Sequence, residues 1–384
     1  MMNVNCAFKM GVFALRRNAS PLLAELVTRN LYSPAALGVD NYSKTRERIK
    51  NQFVNVQDKF KSKMADYSNP ESNSMIFTED LKHMIHLVEP NDNDLQVVQN
   101  MMIKFSKQNK DLRFGSFVFG PVVMRMYHFL NRPEEAYQIF FNREMDGFFD
   151  QLKSFHIILD LLYKNKMYPE MFEIFEVIKR KQVQGTKYPK TAVILMLAAC
   201  YKMNKRESLK YAKHLWSELN KIGHIPIRRA GTFTAALALN QNEPDVALEV
   251  LSSLKQQNYV TVRNLKLSAF ADLNRFEDIL YILRSTLQID SANTEKKNTF
   301  SEEIINKIKE AIEKSGKNEF KEEFEKIEHK LRSLDQISEE PLDKLLCSEI
   351  NALIPSAPQK YQTIDRDNYA RRRQKFRPGL DDLY

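Results

Sequence analysis

Histidine and cysteine are the side chains with which a protein most readily holds a metal or builds a nucleophile, and here neither stands in a spacing that does so. His83 and His86 lie three apart in "LKHMIHL", close enough to share a helix face, but no carboxylate-rich or cysteine-rich stretch stands beside them. Cys6, Cys200 and Cys347 are odd in number and far apart. They give neither a metal spacing nor a disulfide framework, and they point to a reducing compartment. Cys200, in the apolar "LAACYK", reads as a small buried hydrophobe. No glycine-rich phosphate loop, nucleophile elbow or nuclease-like carboxylate cluster appears. The acids of "EEIINKIKEAIEKSGKNEFKEEFEKIEHK" (302–330) alternate with lysines at helical spacing, as on a solvated, salt-bridged helix face. The chain reads as a binder rather than an enzyme, with no cofactor and no metal site implied.

The chemistry that remains belongs to cations. A net charge of +9 favours a polyanionic partner, although it speaks of association and not of fold. Five cations recur along the chain: Arg113, Lys153, Lys190, Arg229 and Arg263. Their value depends on the elements that carry them.

Those elements are pairs of helices. In "ALALNQNEPDVALEVL" (236–251) two apolar stretches flank a polar hexamer. The pattern predicts one helix ending and another starting, with Asn242 as N-cap and Pro244 in the first turn, where its missing N–H is harmless. The plan recurs at 154–183, at 190–219 with the turn "KMNKRES", at 261–287 with "LNRFED", at 117–141 with "LNRPEE", and more weakly at 78–105 with "EPNDND". The corresponding residues early in each second helix are Val98, Ala136, Met171, Ser208, Ala247 and Ile279, at intervals of 38, 35, 37, 39 and 32 residues. Scarce glycine and the absence of β-alternation favour an all-α chain. A period near 35 in helical pairs predicts a solenoid, because no pair can bury both of its apolar faces alone. In such a stack Lys153, Lys190, Arg229 and Arg263 fall at the starts of successive first helices, with Arg113 just ahead of another. Together they would form a basic ladder along one edge, able to track the phosphates of a single strand.

The unit "SFHIILDLLYKNKMYPEMFEIFEVIKRKQV" resembles a pentatricopeptide repeat, with an aromatic near its start and a "LL" in its first helix. "LNRPEEAYQIFF" resembles the acidic-acidic-Ala opening of that family's second helix. The Trp and Leu-Gly of a tetratricopeptide repeat are missing. The resemblance covers roughly residues 75–290 and implies a right-handed, all-α helical-repeat solenoid. It further implies a protein that binds single-stranded mitochondrial RNA and takes part in RNA maturation and mRNA processing, in support of the respiratory chain. An RNA-processing nuclease or ribosomal proteins are the implied protein partners. Positions matching the family's base-reading residues are Pro121, His156, Val193, Thr232 and Asn264. Of these, His156, Thr232 and Asn264 can hydrogen-bond a base edge, whereas Pro121 and Val193 cannot, so a simple one-repeat-one-base code is not expected.

The flanks complete the organisation. "MMNVNCAFKMGVFALRRNASPLLAELVTRNLY" bears Lys9, Arg16, Arg17 and Arg29 against the single acid Glu25, with Phe8, Val12 and Leu15 on one helical face. This is the pattern of a mitochondrial transit peptide and predicts a matrix location. No stretch approaches the ~18 apolar residues of a membrane span. The expected organisation is a transit peptide at 1–35, a linker and basic helix at 36–74, helical repeats at 75–290, amphipathic helices at 291–350 and a basic, non-periodic tail at 351–384. Arg371, Arg372 and Arg373 in that tail are further candidates for RNA contact. The rival reading is a structural helical-repeat subunit or adaptor of a mitochondrial ribosome or other complex.

Overall fold

A computed structural model describes residues 31–112, 117–224, 227–290 and 299–351. Among the described residues the chain is all-α apart from two two-residue strands. A short helix α1 (Pro34–Leu37) leads into eight helical hairpins. These are α2 (Val39–Phe53) with α3 (Gln57–Ser68), α4 (Thr78–Leu87) with α5 (Asp92–Leu112), α6 (Gly120–Leu130) with α7 (Pro133–Phe140), and α8 (Leu152–Lys164) with α9 (Tyr168–Lys181). They continue as α10 (Lys190–Met203) with α11 (Arg206–Lys221), α12 (Arg228–Asn240) with α13 (Pro244–Ser252), α14 (Val260–Asp272) with α15 (Phe276–Asp290), and α16 (Glu302–Ser315) with α17 (Asn318–Ser333). A last short helix, α18 (Leu342–Leu346), follows. The strands β1 (Phe300–Ser301) and β2 (Ile337–Ser338) pair in parallel on either side of the eighth hairpin and fasten its ends together.

The turn within most hairpins has one backbone solution. Asn131, Lys166, Asn204, Asn242 and Asn274 all have positive φ, between 47° and 60° in the left-handed region, at intervals of 35, 38, 38 and 32 residues. In four of these turns the next residue's N–H reaches back five positions: Arg132 to Tyr127, Met167 to Leu162, Glu243 to Ala238 and Arg275 to Phe270. This is a Schellman stop, which satisfies carbonyls that the ending helix leaves open, and asparagine is among the few side chains that tolerate the left-handed region. Asn242, expected as the N-cap of the second helix, is therefore the left-handed residue closing the first one. Glu243 occupies the N-cap, and Pro244 opens α13 as expected.

Hairpins stack through their first helices: α6 on α8, α8 on α10, α10 on α12, α12 on α14 and α14 on α16. The marker residues Val98, Ala136, Met171, Ser208, Ala247 and Ile279 are all at most 3% exposed. The first helices form an inner layer, and α8 and α10 are buried through 154–163 and 192–200 without a break. A helix apolar or covered all round must be enclosed on every side. Second helices cover one side of that layer and neighbouring hairpins cover two more. The chain's own ends cover the fourth. The stretch expected as linker and basic helix folds as the end of α1 with α2 and α3, and the hairpin α16–α17 continues the stack against α14 and α15.

Candidate nucleic-acid interface

Two terminal segments meet on the inner layer. Tyr32 and Ile350 form a parallel bridge, in which the Ser33 N–H donates to Ile350 O at 3.1 Å and the Ile350 N–H donates to Leu31 O at 2.9 Å. The N-terminal segment is pinned to α8 by Asp160, a fully buried carboxylate. Asp160 Oδ1 accepts from the Tyr32 N–H at 3.3 Å, and Oδ2 lies 3.1 Å from His128 Nε2. The C-terminal segment is pinned by Asp343, which accepts from Tyr201 Oη at 3.0 Å and pairs with Lys202 at 2.7 Å. A lone aspartate inside the apolar "ILDLL" was the available sequence signal for Asp160, since an unpartnered carboxylate is not left in such a helix.

This arrangement decides where the expected ladder residues go. Lys153 Nζ donates to Ala36 O at 2.6 Å, and Arg229 donates to Leu346 O at 2.7 Å and to Ser348 Oγ at 2.9 Å. Both therefore hold the terminal clasp. Burial pushes each pKa down, with Arg125 adding to the effect on Lys153 and Arg228 to that on Arg229. Arg263 is only 7% exposed within α14, which removes it from an outer edge. Lys190, the first residue of α10, is exposed. Arg113 and Arg371, Arg372 and Arg373 lie outside the described residues.

The three expected base-readers are interior. His156 is 6% exposed and meets the ring of Tyr32 edge-on, with centroids 4.2 Å apart. Burial, then Lys153 and His128, drive its pKa down to about 3, so the ring is neutral. Thr232 Oγ1 donates to Arg229 O one turn back at 3.0 Å. Asn264 is fully buried: Nδ2 donates to Val260 O at 2.9 Å and Thr299 O at 3.3 Å, and Oδ1 accepts from the Ser301 N–H at 2.9 Å. With its amide spent on joining α14 to β1, Asn264 has no edge to offer a base. In this arrangement all three act in packing, because the clasp and the seventh and eighth hairpins close over them.

What the stack does present is the rim where α10, α12 and α14 begin. Lys187 and Lys190 are exposed there. Next along the rim, the Arg228 guanidinium lies 3.4 Å from the ring centroid of Tyr259, itself 46% exposed, while Arg228 Nε donates to Gln256 at 3.1 Å. The cation lies over the ring, a contact that neither residue's type or spacing announced. The histidine pair does not converge on a metal: His86 Nδ1 sits 2.7 Å from Lys82 O and stacks on Tyr42, while His83 packs among Phe53 and Phe60. Among the described residues no group of three His, Cys, Asp or Glu side chains gathers to hold a metal, and no helix is long and apolar enough to cross a membrane.

No protein-family model matches the chain. Individual proteins do. The chain is 30% identical over 275 residues to pentatricopeptide repeat-containing protein 2, mitochondrial, of Mus musculus, which spans 72% of this chain and 71% of that protein. The chain belongs to this family. The family's Danio rerio protein is 29% identical over 313 residues, 81% of this chain and 79% of its own length. That of Xenopus laevis is 26% identical over 345 residues, 89% and 88% of the two chains. The Xenopus match is longer than the structure's 78–290 repeat region, so likeness to the family extends beyond the repeats. The protein is thus a mitochondrial pentatricopeptide repeat protein.

Proposed function

We propose that the protein binds single-stranded RNA in the mitochondrial matrix and takes part in the maturation of mitochondrial transcripts, as a binder that presents RNA to other factors. The observation that carries this reading is the rim at the starts of α10, α12 and α14. There exposed Lys187 and Lys190 stand on the same rim as the Arg228–Tyr259 cation–π pair. Cations that track phosphates next to an aromatic face that stacks a base are the two ingredients of sequence-tolerant single-strand binding. Lys153 and Arg229 contribute by holding the termini, and the strand runs outside the clasp.

Fluorescence anisotropy with a labelled single-stranded RNA over a range of salt tests this. Lys190→Gln with Arg228→Gln removes two phosphate contacts and should flatten the salt slope by about 1.4, at ~0.7 per contact. Tyr259→Ala should weaken binding by ~1–3 kcal/mol through lost stacking. A wild-type protein without measurable RNA affinity would overturn the proposal.

One observation favours a second reading, a structural subunit or adaptor of a mitochondrial ribosome or other complex. The inner layer on which such repeats would receive a strand is covered by the protein's own ends. Stoichiometric co-sedimentation with ribosomal subunits would favour that reading over substoichiometric binding at defined transcript sites.

A further inference from the structure

Beyond the rim, the other end of the stack carries positive charge that the fold leaves without counter-charge. Arg125 Nε donates to Leu37 O at 3.0 Å and Lys153 Nζ to the preceding carbonyl, Ala36 O, at 2.6 Å. The two cations are therefore neighbours. Burial lowers the pKa of both, and Arg125 lowers that of Lys153 further. Among the described residues neither forms a salt bridge, and their hydrogen-bond partners are carbonyl groups at the end of α1, which supply no full counter-charge. Arg125 is held there closely: Gly38 has φ of 78°, and a Cβ on it would come within 3.0 Å of Arg125 Nε. The glycine thus gives the turn its left-handed step and leaves room for the guanidinium. Bringing like charges together out of water is unfavourable unless something of opposite sign joins them.

Arg125 opens onto a cleft of about 460 Å³ between α2, α4 and the start of α6. The cleft is also lined by Arg48, Lys82, His83, Gln52 and Phe117. Arg48 is exposed and has no ion pair among the described residues. The lining carboxylate, Glu79, is neutralised by Lys82 at 2.7 Å. Phe117 is 43% exposed, with the Lys82 ammonium 4.2 Å from its ring centroid. Cations, an open aromatic ring and the amide of Gln52 fit the phosphate and base of a nucleotide. A nucleotide uses all three at once, its phosphate on the cations, its base face on the ring and its base edge on the amide.

We propose that this cleft is a nucleotide-phosphate subsite that takes one unit of the RNA strand. Its phosphate lies between Arg48 and Arg125 and its base lies against Phe117. The inference rests on the RNA-binding reading above and adds a second, separate point of contact. Anisotropy with the same labelled RNA tests it on the full chain. The variant Arg48→Gln/Phe117→Ala alters two exposed side chains and leaves the Arg125 contact with the clasp in place, and Arg48→Gln alone controls for the packing of Phe117 on Phe119. The double variant should stay folded, with its RNA affinity down about tenfold and its salt slope down by about 0.7, while Arg48→Gln alone should keep the wild-type thermal midpoint and give the same slope change. Arg125→Gln should add to the slope change and is read alongside it. Unchanged affinity and slope in the double variant, with Lys190→Gln/Arg228→Gln still weakening RNA binding, overturns the subsite and leaves RNA binding at the rim intact. Binding of AMP by a wild-type protein that fails to bind RNA overturns the assignment to a strand and makes the cleft a site for free nucleotide. Saturable competition by an acidic peptide, removed by Arg48→Gln but indifferent to Phe117→Ala, overturns it in favour of a protein ligand.

Discussion

His156 shows how burial rewrites a residue's role. Its ring sits between α8 and the N-terminal segment, and its pKa is held down to about 3 against an unfolded value near 6.5. The unfolded chain therefore binds a proton over that interval that the folded chain refuses, and stability falls as pH drops from 6.5. His86, whose pKa burial also lowers, acts in the same direction. Urea unfolding between pH 7.5 and 5 should show a loss approaching ~1.4 kcal/mol per pH unit from His156. His156→Gln should flatten that limb. An unchanged limb would mean that the imidazole is not enclosed against Tyr32.

At the scale of elements, the hairpin turns recur because each first helix ends in the same way. Asn131, Asn204, Asn242 and Asn274 supply the left-handed residue, and Lys166 does so in the second of these turns. Asn242 separates the two roles open to it. Were it an N-cap, serine would replace it with little loss and glycine would cost only a few tenths of a kcal/mol. As the left-handed residue with φ of 59°, it should accept glycine without loss, whereas serine and alanine should each cost ~1–2 kcal/mol. Chemical denaturation of the three variants decides between these orders. Because α12–α13 packs chiefly on the hairpins to either side, hydrogen exchange should show the loss concentrated in α12–α13 and those neighbours.

For the whole molecule the deciding feature is the closure of both termini on one surface. Leu346 is 2% exposed between the C-terminal segment and the stack, so Leu346→Ala should cost ~2–5 kcal/mol. The effect should also cross the clasp: the Ser33 amide, which donates to Ile350 O, should lose hydrogen-exchange protection although it is remote in sequence. The closure bears on maturation as well. Leu31 and Tyr32 are 1% and 4% exposed in the core, so removal of residues 1–35 would strip the clasp of its anchor. The proposed transit peptide should therefore be cut ahead of Leu31, which mass spectrometry of the mature N-terminus reads directly. Arg16→Glu with Arg17→Glu, outside the described residues, should keep the protein out of the matrix in an import assay.

The six hairpins from α4 to α15, their order and their spacing were legible in the residues alone, whereas the α2–α3 hairpin was read as a linker and basic helix. Each hairpin rests on interactions within about forty residues, such as apolar faces at helical period and a polar turn, and these leave a repeating trace. That trace located Val98, Ala136, Met171, Ser208, Ala247 and Ile279, every one of them in the core. It also isolated the polar turns, although it assigned Asn242 to the wrong end of its turn, since an asparagine suits both an N-cap and a left-handed stop. The candidate site was far less legible. Lys153 and Ala36 are 117 residues apart, as are Arg229 and Leu346, and neither contact leaves any periodic mark. A lysine on a helix edge looks the same in sequence whether water, a phosphate or a carbonyl from the far end of the chain satisfies it. Only the tertiary structure, by folding both termini over the inner helices, decided which cations are committed to the protein itself and which remain for a ligand.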